Sequence, residues 1–320
     1  MMKPSVQLKA HVSILLAEVC WGLMAPLGKD AMTHGLTGID MVTFRVTGGA
    51  LLFWITSMFV PREHVPRKDL LLLIGAAVFG LVANQCCYTI GLSITSPVNA
   101  SIVTTSMPIF AMVLAALILK EPITKMKAGG VAIGCCGAVV LIVTSATAAN
   151  SKVGDIRGDL LCMFAQLSFA FYLAMFGKLI KRYSVFTVNK WMFTYATLMI
   201  LPFSFGHVAA IDYAAVPVRT WVETGFVVLF GTYLSYILMM VAQRILRPTV
   251  VSIYNYVQPV VAVTVSLLTG IGVFKPAQGV AVVCVCLGVW LVTKSKSKAD
   301  MQREAAAKKA STPERPTCMK

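Results

Sequence analysis

The sequence predicts an all-α integral membrane protein whose ten transmembrane helices form two five-helix repeats of inverted topology. Three observations carry this: the composition, the spacing of apolar runs, and basic residues that change sides between the two halves. Of 320 residues, 58% are apolar and 13% charged, whereas soluble domains run near half apolar and about a quarter charged. So few charges cannot cover a water-facing surface, which argues against a soluble enzyme.

A helical crossing needs roughly 20 apolar residues. Runs of that kind fall near 11–32, 39–59, 70–92, 97–119, 128–147, 159–180, 188–206, 220–243, 249–271 and 277–293. Turn residues separate them: Pro61 and Pro66, Pro122, the stretch from Gly154 to Gly158, Pro217, Arg247-Pro248 and Lys275-Pro276. The shortest breaks force antiparallel neighbours. The first run carries Glu18 and continues past Pro26 without a small-residue cleavage site, so it is expected to remain as a helix.

With the N-terminus in the cytoplasm, 21 Lys and Arg residues fall inside and five outside (Lys29, Lys152, Arg157, Arg219, Lys275), leaving Arg45 and Lys190 within segments. That asymmetry expects both termini in the cytoplasm and a cytoplasmic-membrane location. The expected organisation is a cytoplasmic tail over 1–10, a first repeat over 11–147, an external linker over 148–158, a second repeat over 159–293 and a basic, disordered cytoplasmic tail over 294–320. The net charge of +15 sits in loops and in that tail, so no nucleic-acid partner is expected. Eight of the nine cysteines lie inside apolar runs as small hydrophobes. No Cys/His spacing fits a metal, no phosphate-binding P-loop is present, and neither a cofactor nor a catalytic residue is expected.

The halves repeat. A shift of 151 places Gly80 on Gly231, Pro97 on Pro248, Ser101 on Ser252 and Pro108 on Pro259. A shift of 149 places Gly130-Val131 on Gly279-Val280, and a shift of 148 places Ala17-Glu18 on Ala165-Gln166 and Trp21 on Phe169. Five crossings per half is odd, so the halves enter the membrane in opposite directions. Loop charges agree. The loop at 92–97 has no basic residue, while its mate at 243–248 has Arg244 and Arg247; the loop at 120–127 has three, while its mate at 270–278 has Lys275 alone. This pattern points to alternating access around a site near the bilayer midplane, where the repeats meet.

Polar residues at membrane depth are the candidate site. Glu18 lies about 10 Å into the first segment at 1.5 Å per residue, sharing a face with Trp21, Gly22 and Ala25. A lone carboxylate there costs several kcal/mol (roughly 3 on insertion scales). It is read either as a titratable group facing a wet cavity or as a neutral side chain bonded to a neighbouring helix. Arg45 and Lys190 either neutralise an anionic solute or Glu18, or snorkel to the interface. Asn84, Gln85 and Tyr88 in the third segment and Tyr236 in the eighth should point inward, to pore or to packing. Ser101 and Thr105 with Pro108, and Ser252, Asn255 and Tyr256 with Pro259, form a duplicated polar, proline-broken pattern. Each proline frees the carbonyl four residues earlier, Thr104 or Asn255, either to meet a solute or merely to bend the helix. Gln166 in the sixth segment completes the set; Tyr172, Trp191 and Tyr195 are secondary.

Pro97-Val-Asn-Ala-Ser-Ile-Val-Thr-Thr-Ser-Met-Pro-Ile-Phe through Leu119-Lys-Glu-Pro-Ile-Thr resembles the fourth helix and following loop of EamA-type transporters, ten-helix members of the drug/metabolite transporter superfamily. Cys20-Trp21-Gly22, Phe44-Arg45 and Glu121 fit the same pattern, and the resemblance covers residues 11–294. It implies two EamA repeats and movement of small organic solutes such as amino acids, metabolites or drugs. The second-repeat loop Gly272-Val-Phe-Lys-Pro departs from it by lacking an acid to match Glu121. Leu16-Ala-Glu-Val-Cys-Trp-Gly-Leu-Met also resembles the first helix of small multidrug resistance proteins, where a membrane-embedded glutamate binds protons and cations; Glu18 matches it by position.

The expected function is therefore a secondary carrier exporting a small organic solute, with the bilayer and that solute as partners and protons as a coupling partner at Glu18. An uncoupled facilitative carrier is the alternative. A membrane enzyme would need paired His, Asp or Cys residues at depth, and a channel would need charged or carbonyl rings; the pseudo-symmetric repeat favours a carrier over both. The sequence leaves solute identity, direction of transport, coupling ion and oligomeric state open.

Overall fold

The computed structural model describes residues 4–95, 100, 103–146, 155–268, 276–296 and 301–302. Their regular structure is entirely helical. In chain order the helices are α1 (Pro4–Thr33), α2 (Gly38–Ser57), α3 (Arg67–Ile94), α4 (Met107–Leu119), α5 (Lys125–Ala146), α6 (Ile156–Met175), α7 (Val185–Ala209), α8 (Val218–Ile245), α9 and α10 (Pro276–Lys294). α9 comprises Pro248–Ile253, a 3-10 turn at Tyr254–Tyr256, and Val257–Leu268. A further short turn, Gly177–Ile180, follows α6. Each of the ten expected apolar runs carries helix among its described residues, and six helices (in α1, α2, α3, α6, α7 and α8) are long and apolar enough to cross a membrane.

Local chemistry sets several starts. Thr37 caps α2 in a reciprocal box: Asp40 N donates to Thr37 Oγ1, and Thr37 N donates to Asp40 Oδ2 at 2.8 Å. Asp155 and Ser184 do the same service for α6 and α7 by accepting from Arg157 N and Thr187 N. α4 ends on Lys120 in the left-handed conformation (φ 54°), and the next residue, Glu121, pairs with buried Lys127 at 2.9 Å. The family-type glutamate thus fastens the α4–α5 joint.

Packing follows a two-fold exchange of the halves. α2 lies along α7 and α5 along α10, each against its own mate. α6 packs on α3 and α4, and correspondingly α1 packs on α8 and α9. The α5–α10 pair closes to backbone contact: a Cβ on Gly288 would sit 2.7 Å from Gly130 O and 2.8 Å from Gly134 Cα. Small residues at such spacing let helices pack through van der Waals contact where lipid supplies no hydrophobic drive. Leu51, Leu71, Leu117, Phe203, Val222 and Val283 point outward and are exposed, as a lipid-facing surface requires.

Two departures from regular α-helix were not expected from the sequence. α3 widens to a π-helix at Val78–Val82, and α8 widens at Leu229–Leu234. The two start 151 residues apart, the repeat shift itself, and each contains one of the paired glycines, Gly80 or Gly231. Such π segments cluster at functional sites.

Candidate functional site

A cavity of about 70 Å³ lies between the halves, room for several waters, since one needs roughly 10–15 Å³. α1 contributes Glu18, Trp21 and Met24; α2, Arg45; α3, Asn84, Gln85 and Tyr88; the start of α4 and the residues before it, Met107 and Thr104. The second half supplies Gln166 and Phe169 from α6, Tyr236 and Met239 from α8, and Val251, Asn255 and Gln258 from α9.

Glu18 is 3% exposed. Its Oε2 accepts from Gln258 Nε2 at 2.7 Å, and that same amide nitrogen donates to Asn255 Oδ1. Asn255 Nδ2 in turn donates to the Thr104 carbonyl at 3.1 Å. This is the carbonyl that Pro108 releases from the helical ladder, so the proline break has found an acceptor's use within the protein. The chain of bonds ties α1 to the broken regions of α9 and α4. No Lys, Arg or His among the described residues lies within ion-pairing distance of Glu18.

Arg45 is 4% exposed. Its Nε donates to Thr232 Oγ1 at 3.1 Å and its Nη1 to Thr89 Oγ1 at 3.2 Å. Both partners are neutral, and no carboxylate among the described residues pairs with it. Of the three readings open in the sequence, an ion pair with Glu18 is therefore not formed, and a guanidinium this deeply buried does not snorkel to the interface. Lys190 stays at the start of α7, its ammonium 4.7 Å over the Trp54 ring, outside the cavity.

The π segments frame the site. Trp21 Nε1 donates to Gly231 O at 2.9 Å, and Tyr236 Oη donates to Gly80 O at 3.3 Å. Gln85 Nε2 donates to Tyr236 Oη at 3.0 Å. Trp21 stands edge-on to both Phe169 and Tyr236, with centroids 6.4 and 6.0 Å away. Asn84 Nδ2 reaches the Ala165 carbonyl at 3.0 Å, which serves packing as well as lining.

Nine of the candidates named from the sequence thus line one cavity: Glu18, Trp21, Arg45, Asn84, Gln85, Tyr88, Gln166, Tyr236 and Asn255. Thr105, Ser252 and Tyr256 do not. Thr105 is buried and accepts from Cys135 Sγ; Ser252 Oγ donates to Thr249 O; Tyr256 Oη donates to Val131 O on α5, with its ring against Gly134. Pro108 is buried at the start of α4, Pro259 follows the 3-10 turn of α9, and Ser101 lies outside the described residues. The expected single polar face of α9 splits because its 3-10 turn advances about 120° per residue instead of 100°. That rotation carries Tyr256 toward α5 and brings Gln258 to Glu18. Gln258 is the polar residue the sequence reading missed; its spacing of three from Asn255 was the available signal.

Known proteins place this architecture. A solved crystal structure superposes with a TM-score of 0.70, covering 91% of this chain and 98% of that one at 15% identity, which shows the fold. The uncharacterized transporter YetK of Bacillus subtilis strain 168 is 24% identical over 310 residues, spanning 94% of this chain and 92% of YetK. YyaM of the same strain, also an uncharacterized transporter, is 23% identical over 275 residues, covering 86% of each. The model of the EamA-like transporter family matches twice, over residues 8–143 and 156–294. With nearly the whole sequence accounted for by those two matches, this multi-pass membrane chain belongs to the EamA-like transporter family.

Proposed function

We propose that the protein is a secondary carrier that moves a small organic solute across the cytoplasmic membrane by alternating access, with Glu18 as the proton-coupling group. The observation that carries this reading is a cavity lined from both halves and holding a buried carboxylate with no cationic partner among the described residues. A carboxylate so placed is costly at membrane depth unless water or a proton reaches it.

The mechanism follows from its bonds. Proton arrival on Glu18 removes the charge that Gln258 serves, weakening a charge-assisted hydrogen bond. Gln258 and Asn255 then shift against the Thr104 carbonyl, where α9 and α4 are already broken. Each half is a five-helix unit inverted relative to the other, with both termini cytoplasmic; 21 basic residues inside against five outside support this orientation. Rocking of the units opens the cavity to one side at a time.

The test is transport in proteoliposomes over a panel of organic solutes, with and without a pH gradient, comparing wild type with Glu18→Gln. Gradient-driven movement in wild type, lost in the variant, is expected. Equal gradient response in both removes Glu18 from the coupling step, and gradient-independent movement in wild type marks a facilitative carrier.

A further inference from the structure

Two opposite charges line one cavity, and neither neutralises the other. Arg45 is held rigidly: Thr232 on α8 and Thr89 on α3 accept from its Nε and Nη1. Thr232 is itself anchored, donating its hydroxyl proton to Val227 O at 3.0 Å. Hydroxyls orient a guanidinium but carry no charge to compensate it. A guanidinium offers five N–H donors, and the remaining Nη hydrogens have no partner among the described residues, on a side chain that lines the cavity. A buried cation with no ion-pair partner in contact is costly. A planar fork of this kind fits an oxyanion better than any other group. The lining also includes Trp21, Phe169 and Met239, which suits an organic body rather than an inorganic ion.

Glu18 and Arg45 are the charged residues that line the cavity. The other titratable groups in the lining are the phenols of Tyr88 from α3 and Tyr236 from α8, and Cys20 lies two residues from Glu18 on α1; His11 lies two turns away, bonded to Tyr254 of α9. From α2, Arg45 alone faces the site. Net charge in the cavity is then zero in two states: empty with Glu18 ionised, and loaded with one anion while Glu18 carries a proton. An anion beside an ionised Glu18, or a proton with no anion, leaves one uncompensated charge in a low-dielectric space.

Resting on the carrier reading above, we infer that the solute is an organic anion, a carboxylate or similar oxyanion, seated on Arg45 and admitted together with a proton on Glu18. A solute and proton that travel together run inward on the proton gradient of a cytoplasmic membrane, the reverse of the export direction expected from the sequence.

The test uses the purified full chain in nanodiscs, with propionate and 3-phenylpropionate as probes and their amides as neutral controls, binding measured by calorimetry between pH 6 and 8, where the acids stay ionised. Wild type is expected to prefer at least one acid over its amide by about tenfold or more, the size of one charge-assisted hydrogen bond, and to bind it more tightly as pH falls. Arg45→Gln should abolish the preference, while Arg45→Lys, which keeps the charge but not the fork, should retain part of it. Glu18→Gln should bind the acid without the pH dependence. No acid-over-amide preference in wild type overturns the inference, as does a preference that survives Arg45→Gln or binding that weakens as pH falls. Arg45-dependent acid binding with no transport in proteoliposomes would sink the carrier reading and leave the anion site standing; transport confined to amines or neutral solutes would do the opposite.

Discussion

Gln85 and Tyr236 are 151 residues apart and joined directly, the amide nitrogen donating to the phenol oxygen at 3.0 Å. Asn255 reaches the Thr104 carbonyl across the same separation. Residues that touch their own repeat equivalents lie on the axis relating the halves, so the cavity wall runs along that axis. Tyr236 also donates to Gly80 O inside the α3 π segment, which makes it the hub of the seam. Tyr236→Phe should leave the buried Gln85 amide and the Gly80 carbonyl short of partners, at about 1–3 kcal/mol. Thermal unfolding in detergent checks this, and a Gln85→Met, Tyr236→Phe double-mutant cycle should return a coupling well above additivity.

The paired glycines of the π segments should not tolerate alanine equally. A Cβ on Gly80 would stand 2.8 Å from the Tyr172 ring, whereas one on Gly231 would stand 2.7 Å from Met24 Sδ. Tyr172 is fully buried and stacked between Phe169 and Phe176, but a thioether can rotate away. Gly80→Ala should cost about 1–3 kcal/mol by overpacking and Gly231→Ala distinctly less. A reversed order in thermal midpoints would contradict the packing described.

Gln258 bonds to Glu18 and Asn255, and Asn255 to the Thr104 carbonyl, so in the proposed mechanism Gln258 carries the state of Glu18 to the broken parts of α9 and α4. Gln258→Met should therefore uncouple rather than disable: solute exchange at equal pH persists, while acceleration by a pH gradient disappears. Counterflow and gradient-driven uptake measured on the same vesicles separate the two. Loss of both together would assign Gln258 to solute binding instead.

Outside the spanning helices, Glu63 accepts from the Ser184 backbone at 3.1 and 2.8 Å, at the start of α7. Burial pushes its carboxyl upward, but hydrogen bonds from Thr187 and Ser184 and the charge of Arg244 outweigh this and hold it below the usual carboxylate range. A lowered folded-state value stabilises at pH above the ordinary carboxylate range, and that contribution fades as pH drops through the lowered value. Acid-induced loosening of the 58–66 loop, followed by hydrogen exchange, should be blunted in Glu63→Gln.

Much of this was legible in the chain. Apolar runs at 39–59 and 188–206 locate α2 and α7 within a few residues, and Gly80, Pro108 and their mates give the register that later appears as direct contacts. The proline at 108 also foretold a Thr104 carbonyl outside the helical ladder, though not that Asn255 would bond it. The π segments were not legible: Val78–Val82 and Leu229–Leu234 read as ordinary apolar helix, because the extra residue per turn comes from tertiary fit rather than from side-chain type. The 3-10 turn at Tyr254–Tyr256 was hidden for the same reason, and with it the exchange of Tyr256 for Gln258 at the cavity. Arg45 could be placed at depth, but its neutral threonine partners come from α3 and α8, far away in sequence.

Contacts between equivalent positions also bear on ancestry. In a dimer of two identical five-helix chains, any side chain on the symmetry line must face a twin of itself, so a charge would meet its like. Joining both copies in a single gene lifts that restriction. An amide can then lie opposite a phenol and Glu18 can answer to Gln166, giving the cavity a distinct left and right.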